Sequence, residues 1–139
     1  MTEPEGTDSR VRAAAPGEYV TVRSILEGAL LTVDDGILAR SSVLVAADDG
    51  RILGALILRG VEIEAVAVRP GRRGQGIGRG LVEAAARRRP RLRAGFDPGV
   101  RPFYIKLGFD VRCSGGRCRG VLRSGFSTTE TAKPVRRGD

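Results

Sequence analysis

The residues able to do chemistry fall in two stretches. In the first, Gly71, Gly74, Gly76, Gly78 and Gly80 alternate with Arg72, Arg73, Gln75 and Arg79. Glycines let backbone N–H groups approach a ligand with no Cβ in the way. A helix beginning near Ile77 aims its unpaired amides and the positive end of its dipole at the same spot. Arg72, Arg73 and Arg79 add full positive charge around it. Together these make an anion site, and a diphosphate is its natural occupant. Just before it, Glu62 and Glu64 stand two apart in an otherwise apolar run, so they face one side of a strand. They suit proton removal or recognition of a cationic amine. A strand reaching the sheet rim, with solvated carboxylates or a salt bridge to one of the many arginines, accounts for them equally well.

The second stretch is Phe103-Tyr104-Ile105-Lys106-Leu107-Gly108-Phe109. A tyrosine hydroxyl is a neutral donor that can protonate or hydrogen-bond a developing anion. A helix with aromatic packing residues and a glycine stop explains the same pattern structurally.

Elements must hold these groups in place. Ile63, Val66 and Val68 lie in a β-branched run that suits a strand packed on both faces. Pro70 ends that strand. From Ile77 the period changes, with Ile77, Leu81, Val82, Ala84, Ala85 and Ala86 recurring at helical spacing. Upstream, Val11–Ala14 is a candidate strand, and Pro16-Gly17-Glu18 opens a helix to about Leu31 with the stripe Val22, Ile25, Leu26, Ala29 and Leu30. A rudimentary second helix follows Asp34-Asp35-Gly36. Ser42–Ala47 and Arg51–Arg59 flank Asp48-Asp49-Gly50, a hairpin signal, and Gly54 within the second strand points to a bulge or a close backbone approach. Downstream come a strand at Arg91–Phe96, a helix capped by Asp97 and stopped by Gly108, and a final hairpin, Phe109–Cys113 with Arg117–Arg123. This order predicts an α/β (α+β) chain with a mixed, mostly antiparallel central sheet of about six to seven strands flanked by helices. Residues 1–10 read as a disordered N-terminus, 11–124 as a single domain and 125–139 as a flexible tail.

Composition narrows the chemistry. The 139 residues suffice for one domain with one core. No run of about 18 apolar residues predicts a membrane span, and the polar start MTEPEGTDSR lacks the apolar centre of a secretory signal, so a cytoplasmic setting is expected. With no His, a His-based triad and imidazole metal ligation are excluded, and no metal site is expected. The formal net charge is +8, and every basic residue except Lys106 and Lys133 is Arg. That charge attracts polyanions, but aromatic content of 4% with no Trp supplies a poor stacking platform for nucleic acid. Cys113 and Cys118 read as strand residues either side of a turn at Gly115-Gly116, reduced in a cytosolic protein, with a cross-strand disulfide open to the geometry.

The anion motif excludes two common patterns. Ile77 and Gly78 follow Gly76 where a P-loop needs Lys and Ser/Thr, and Arg79 stands where a dinucleotide fingerprint needs Gly. What fits is R-x-x-G-x-G, as Arg73-Gly74-Gln75-Gly76-Ile77-Gly78, directly after Val-x-Val-x-Pro. This closely resembles the pyrophosphate-binding motif of the GNAT superfamily of N-acetyltransferases. The Phe103–Phe109 segment resembles the F-Y-x-x-x-G-F segment of the same superfamily. The resemblance covers about residues 11 to 124.

It implies an acetyl-CoA-dependent N-acetyltransferase that passes an acetyl group directly to a primary amine, on a small molecule or a protein. The alternative is an acyl-CoA-binding regulatory domain without turnover. Acetyl-CoA is then the co-substrate, held by Val66, Ala67 and Val68 on the strand and by Arg73, Gly74, Gln75, Gly76, Ile77, Gly78 and Arg79 on the turn. Tyr104 matches the family's general acid for the CoA thiolate, and Glu64 is the first choice for the base. Asp97 stands roughly where family members carry a cofactor-contacting Asn. The acceptor site falls to the first helix, the short loop Leu31–Ser42 and the final hairpin, whose edge also offers a surface for a homodimer. Nucleic acid is not an expected partner.

Overall fold

The computed structural model describes residues 10–123, and they form two compact units that divide between Ala84 and Ala85. The expected disordered N-terminus lies outside the described residues except for Arg10, and so does the expected tail. Arg10 itself opens the first strand.

In the first unit, β1 (Arg10–Ala13), β2 (Ser42–Asp48), β3 (Arg51–Arg59) and β4 (Glu62–Val68) pair successively, each antiparallel to the next. The β2–β3 turn is set by Asp49 and Gly50, at φ 53° and 78°. Both central residues at positive φ give the hairpin turn whose twist matches that of its strands. β3 is buried along its whole interior, whereas β4 alternates. The β4 expectation is therefore corrected. Ile63, Ala65 and Ala67 are buried, while Glu62, Glu64, Val66 and Val68 form a half-buried face.

Helices α1 (Tyr19–Gly28) and α2 (Asp35–Ala39) cover one face of this sheet. Val22, Ile25 and Leu26 of α1 and Leu38 of α2 share a core with Val43, Val45, Ala55, Ile57, Ala65 and Ala67. Asp34 starts α2 by accepting a hydrogen bond from the Ile37 N–H at 2.8 Å. The first helix ends earlier than its apolar stripe suggests. Leu30 takes φ 60° while its N–H donates to Glu27 O and the Leu31 N–H to Leu26 O, both at 2.9 Å. This is a Schellman closure with leucine at the left-handed position. It turns Leu30 out to 92% exposure, so Leu30 is not part of the buried stripe.

Helix α3 (Ile77–Arg88) follows β4 and runs across the division between units. The second unit holds β5 (Arg91–Phe96), α4 (Arg101–Lys106), β6 (Asp110–Ser114) and β7 (Arg117–Arg123), with β7 antiparallel to both β5 and β6. Its buried side chains include Leu92, Ala94, Phe96, Tyr104, Phe109 and Cys118. Gly115 and Gly116, at φ 62° and 78°, close a two-residue turn. That turn sets Cys113 opposite Cys118 with Cα atoms 4.0 Å apart, and the two are joined in a disulfide. The expectation of a reduced pair is thus overturned, because the tight turn brings the two sulfurs together. Seven strands, antiparallel throughout the pairings given, with four α-helices agree with the predicted architecture.

Candidate active site

Val68 ends β4, and Pro70–Arg72 makes one turn of 3-10 helix. Arg69 is fixed twice at this corner: its N–H donates to Leu53 O at 2.9 Å and its Nε to Ile52 O at 2.7 Å. Gly74 and Gly76 follow at φ 80° and 82°, where a Cβ is strained whatever the space around it. Nothing lies within 4 Å of where either Cβ would stand, so these glycines serve the backbone conformation and leave the approach open. The first bond of α3 runs from the Gly80 N–H to Gly76 O at 2.9 Å. The amides of Ile77, Gly78 and Arg79 precede it in the first turn, where no intrahelical acceptor exists. The sequence-predicted cradle is therefore formed by one continuous segment, Arg73 to Arg79. Its donor set fits a diphosphate: helix-end amides, two left-handed glycines and flanking guanidinium groups.

The arginines differ in their engagement. Arg73 Nε donates to Val68 O at 3.1 Å, which folds the side chain back along the turn. Arg79 Nε meets Glu83 Oε2 at 2.9 Å, one helical turn on. Arg72 reaches Gln75 Oε1 at 3.5 Å.

Gly54 controls how α3 approaches the sheet. A Cβ there would lie 2.9 Å from Ala67 O, 3.1 Å from Ile77 Cγ2 and 3.3 Å from Leu81 Cδ1. The pairing of β3 with β2 also shifts register beside it, between Ala46 and Ala47. The close approach expected from this glycine is real, and it seats Ile77 and Leu81 directly against β3.

On β4, Val66 and Val68 pair with Leu56 and Gly54, and Ala67 with Ala55. The register slips between Ile57 and Leu58, so Ile57 pairs with Ala65 and Leu58 with Ile63, leaving Glu64 as the extra residue. A bulge of this kind re-aims a side chain. Glu64 Oε2 accepts from Arg59 Nε and Arg59 Nη2, each at 2.8 Å, and the carboxylate side chain is 20% exposed. The salt bridge weighed for this strand is present, and its partner is the last residue of β3. Sequence reading did not single out Arg59. Its signal was its place in the hairpin, directly opposite Glu62 and diagonal to Glu64.

In the second unit, Tyr104 sits mid-way along α4. Pro102 lies in the first turn of α4, where a missing N–H costs nothing. Asp97 occupies a helix-start position without a side-chain cap, a correction to its expected role. Its carboxylate instead accepts from Arg117 Nη1 at 3.4 Å. Gly108 at φ 98° closes α4, with Phe109 N–H donating to Tyr104 O at 3.1 Å. The Tyr104 ring stacks on Phe96 and meets Phe103 and Phe109 edge-on at 5.0 and 5.1 Å. Burial pushes its hydroxyl up to about 12, and no hydrogen-bond partner for it occurs among the described residues. The phenol is therefore held protonated, unspent and able to donate.

A cluster of metal-ligating residues is absent among the described residues, and no helix there is long and apolar enough to cross a membrane.

Comparison with known proteins defines the class. The model of the acetyltransferase (GNAT) domain matches residues 39–111, more than half of the chain, and the chain belongs to that family. Solved structures agree on the fold. A GCN5-related N-acetyltransferase from Rhodopseudomonas palustris superposes with a TM-score of 0.66 at 16% identity, covering 84% of this chain and 96% of its own. A GNAT family acetyltransferase from Elizabethkingia anophelis, solved with acetyl-CoA bound, gives 0.64 at 17% identity over 82% and 97%. The ribosomal-protein-S18-alanine N-acetyltransferase of Escherichia coli gives 0.65 at 14% identity over 81% and 90%. The curated proteins give no match.

Proposed function

We propose that residues 11–124 work as one acetyl-CoA-dependent N-acetyltransferase domain that transfers acetyl directly to a primary amine. The observation that carries this reading is the Arg73–Arg79 turn, with Gly74 and Gly76 left-handed ahead of the unpartnered first-turn amides of α3. Family membership and the acetyl-CoA complex of the Elizabethkingia relative support the choice of diphosphate ligand.

Acetyl-CoA supplies an acyl thioester. The turn holds its diphosphate, and the backbone of Val66, Ala67 and Val68 holds the acyl arm and the oxyanion that forms at its carbonyl. Glu64 receives the proton that the attacking amine gives up, and Arg59 keeps the carboxylate in place. Tyr104 donates its hydroxyl proton to the departing sulfur. Nitrogen–carbon bond formation and carbon–sulfur cleavage are thereby matched by one proton taken and one given. Glu62 and Glu64 on one half-buried face favour a cationic acceptor, whether a small amine or a protein amine.

A second reading, an acyl-CoA-binding regulatory domain without turnover, draws on the Arg59 ion pair that already engages Glu64. Release of free CoA thiol from acetyl-CoA across a panel of primary amines separates the two. Amine-dependent release supports transfer. Tight acetyl-CoA binding with no release for any amine or amine-terminated peptide supports the regulatory reading.

A further inference from the structure

A cavity of about 220 Å³ lies beside the glycine turn, lined by Arg51, Leu53, Arg69, Gly71 and Arg72. Three guanidinium groups meet there and no carboxylate lines it. None of the three takes part in an ion pair, unlike Arg12, Arg23, Arg59, Arg79 and Arg117. Like charges gathered without a counter-charge repel one another, and a bound anion removes that cost. The cations are also held in position. Arg69 is anchored through its N–H and Nε to β3, which leaves its two terminal amino groups for another acceptor. The Arg72 N–H donates to Arg69 O at 2.8 Å, fixing the 3-10 turn that spaces the two side chains. Arg51 opens β3, paired opposite Asp48 in the ladder. Leu53 gives the cavity an apolar wall, which strengthens any charge-assisted hydrogen bond made inside it.

We infer that this cavity is a second anion site, and that it takes the 3′-phosphomonoester of the CoA donor. The inference rests on the acetyl-CoA reading above. Gly71 and Arg72 run directly into Arg73–Gly78, so a ligand whose diphosphate lies on the turn has its remaining phosphate within the same segment's reach. A phosphomonoester offers three oxygens, and forked guanidinium groups match that geometry better than ammonium groups do.

The test compares CoA with 3′-dephospho-CoA by calorimetric titration at fixed salt, on the full chain and on Arg51→Gln and Arg72→Gln. The full chain should bind CoA roughly tenfold or more tighter than 3′-dephospho-CoA, the loss expected for removing a charged hydrogen-bonding group. Each variant should lose most of that preference while keeping its affinity for 3′-dephospho-CoA, a result that a misfolded variant could not give. Equal affinities in the full chain, or a preference unchanged in both variants, would overturn the site and leave the acetyl-CoA reading standing. Binding of neither nucleotide would overturn both. A further arm adds inorganic phosphate: Arg51-dependent phosphate binding that CoA does not displace would assign the cavity to free phosphate and overturn the inference.

Discussion

The ring of Tyr104 stacks on that of Phe96 with centroids 4.1 Å apart and planes inclined by 13°. Phe96 in turn pairs across the ladder with Cys118, whose sulfur is bonded to Cys113. The proposed acid thus stands on an aromatic support tied to the disulfide hairpin. Removing the hydroxyl alone should leave this support intact. Tyr104→Phe should fold with a thermal midpoint near that of the parent and bind acetyl-CoA normally, while turnover drops by about two orders of magnitude or more. Single-turnover kinetics check it, and full activity in this variant would remove Tyr104 from the mechanism.

The same burial has a consequence at high pH. The folded hydroxyl titrates near 12, above the ordinary tyrosine value of about 10. The unfolded chain therefore loses this proton first as pH rises. The stability that Tyr104 contributes is fully present below about pH 10 and lost as pH climbs toward 12. Denaturant unfolding of parent and Tyr104→Phe should show a steeper alkaline loss in the parent, with the two converging in slope below pH 10.

Gly54→Ala should both destabilise the fold and weaken the donor site. Its Cβ would meet Ala67 O at 2.9 Å, a backbone atom that cannot swing aside, and would press on Ile77 at the start of α3. A cost of about 1–3 kcal/mol is expected for overpacking of this kind. Calorimetry should also show weaker acetyl-CoA binding, because the helix start carries the diphosphate amides.

Glu64→Gln should lower amine-dependent turnover at least tenfold and flatten the acid limb of the pH–rate profile, with donor affinity unchanged. Arg59→Ala tests the ion pair separately. If Glu64 is purely structural, both variants lose stability together and turnover per folded molecule stays at the parental level.

Reduction of the Cys113–Cys118 disulfide should lower unfolding stability by about 2 kcal/mol, the chain-entropy value for so short a loop. Chemical denaturation with and without dithiothreitol measures it, with Cys113→Ser as a control that reductant should not affect.

Much of this site was legible because its signals are local. Pro70 stops β4, the glycines mark left-handed backbone, and the period change at Ile77 marks the helix, so strand, turn and helix follow from neighbours in sequence. Gly54 was legible for the same reason, as a glycine inside an apolar strand. What escaped depends on register. The bulge at Glu64 shifts pairing by one residue and gives that carboxylate to Arg59. No local preference reports such a shift. The one-sided burial of Val66 and Val68 and the pairing of the cysteines also arise from which strand lies opposite. Leu30 is the clearest misreading: its hydrophobicity fits the α1 stripe, but the chain needs a left-handed residue there to close the helix and places leucine in it.

Thermal unfolding with acetyl-CoA, CoA and ATP, each at moderate salt, tests the central claim most directly. A ligand that binds only the native chain raises the midpoint by mass action, by about 2.7 kcal/mol of stability at a hundredfold excess over its dissociation constant. Acetyl-CoA and CoA should stabilise the parent and ATP should not, with the shift reduced in Gly76→Ala, where φ 82° admits no side chain without strain. Equal shifts with all three ligands, or a shift untouched by Gly76→Ala, would mean that the arginines merely gather polyanions and that the turn is not a donor site.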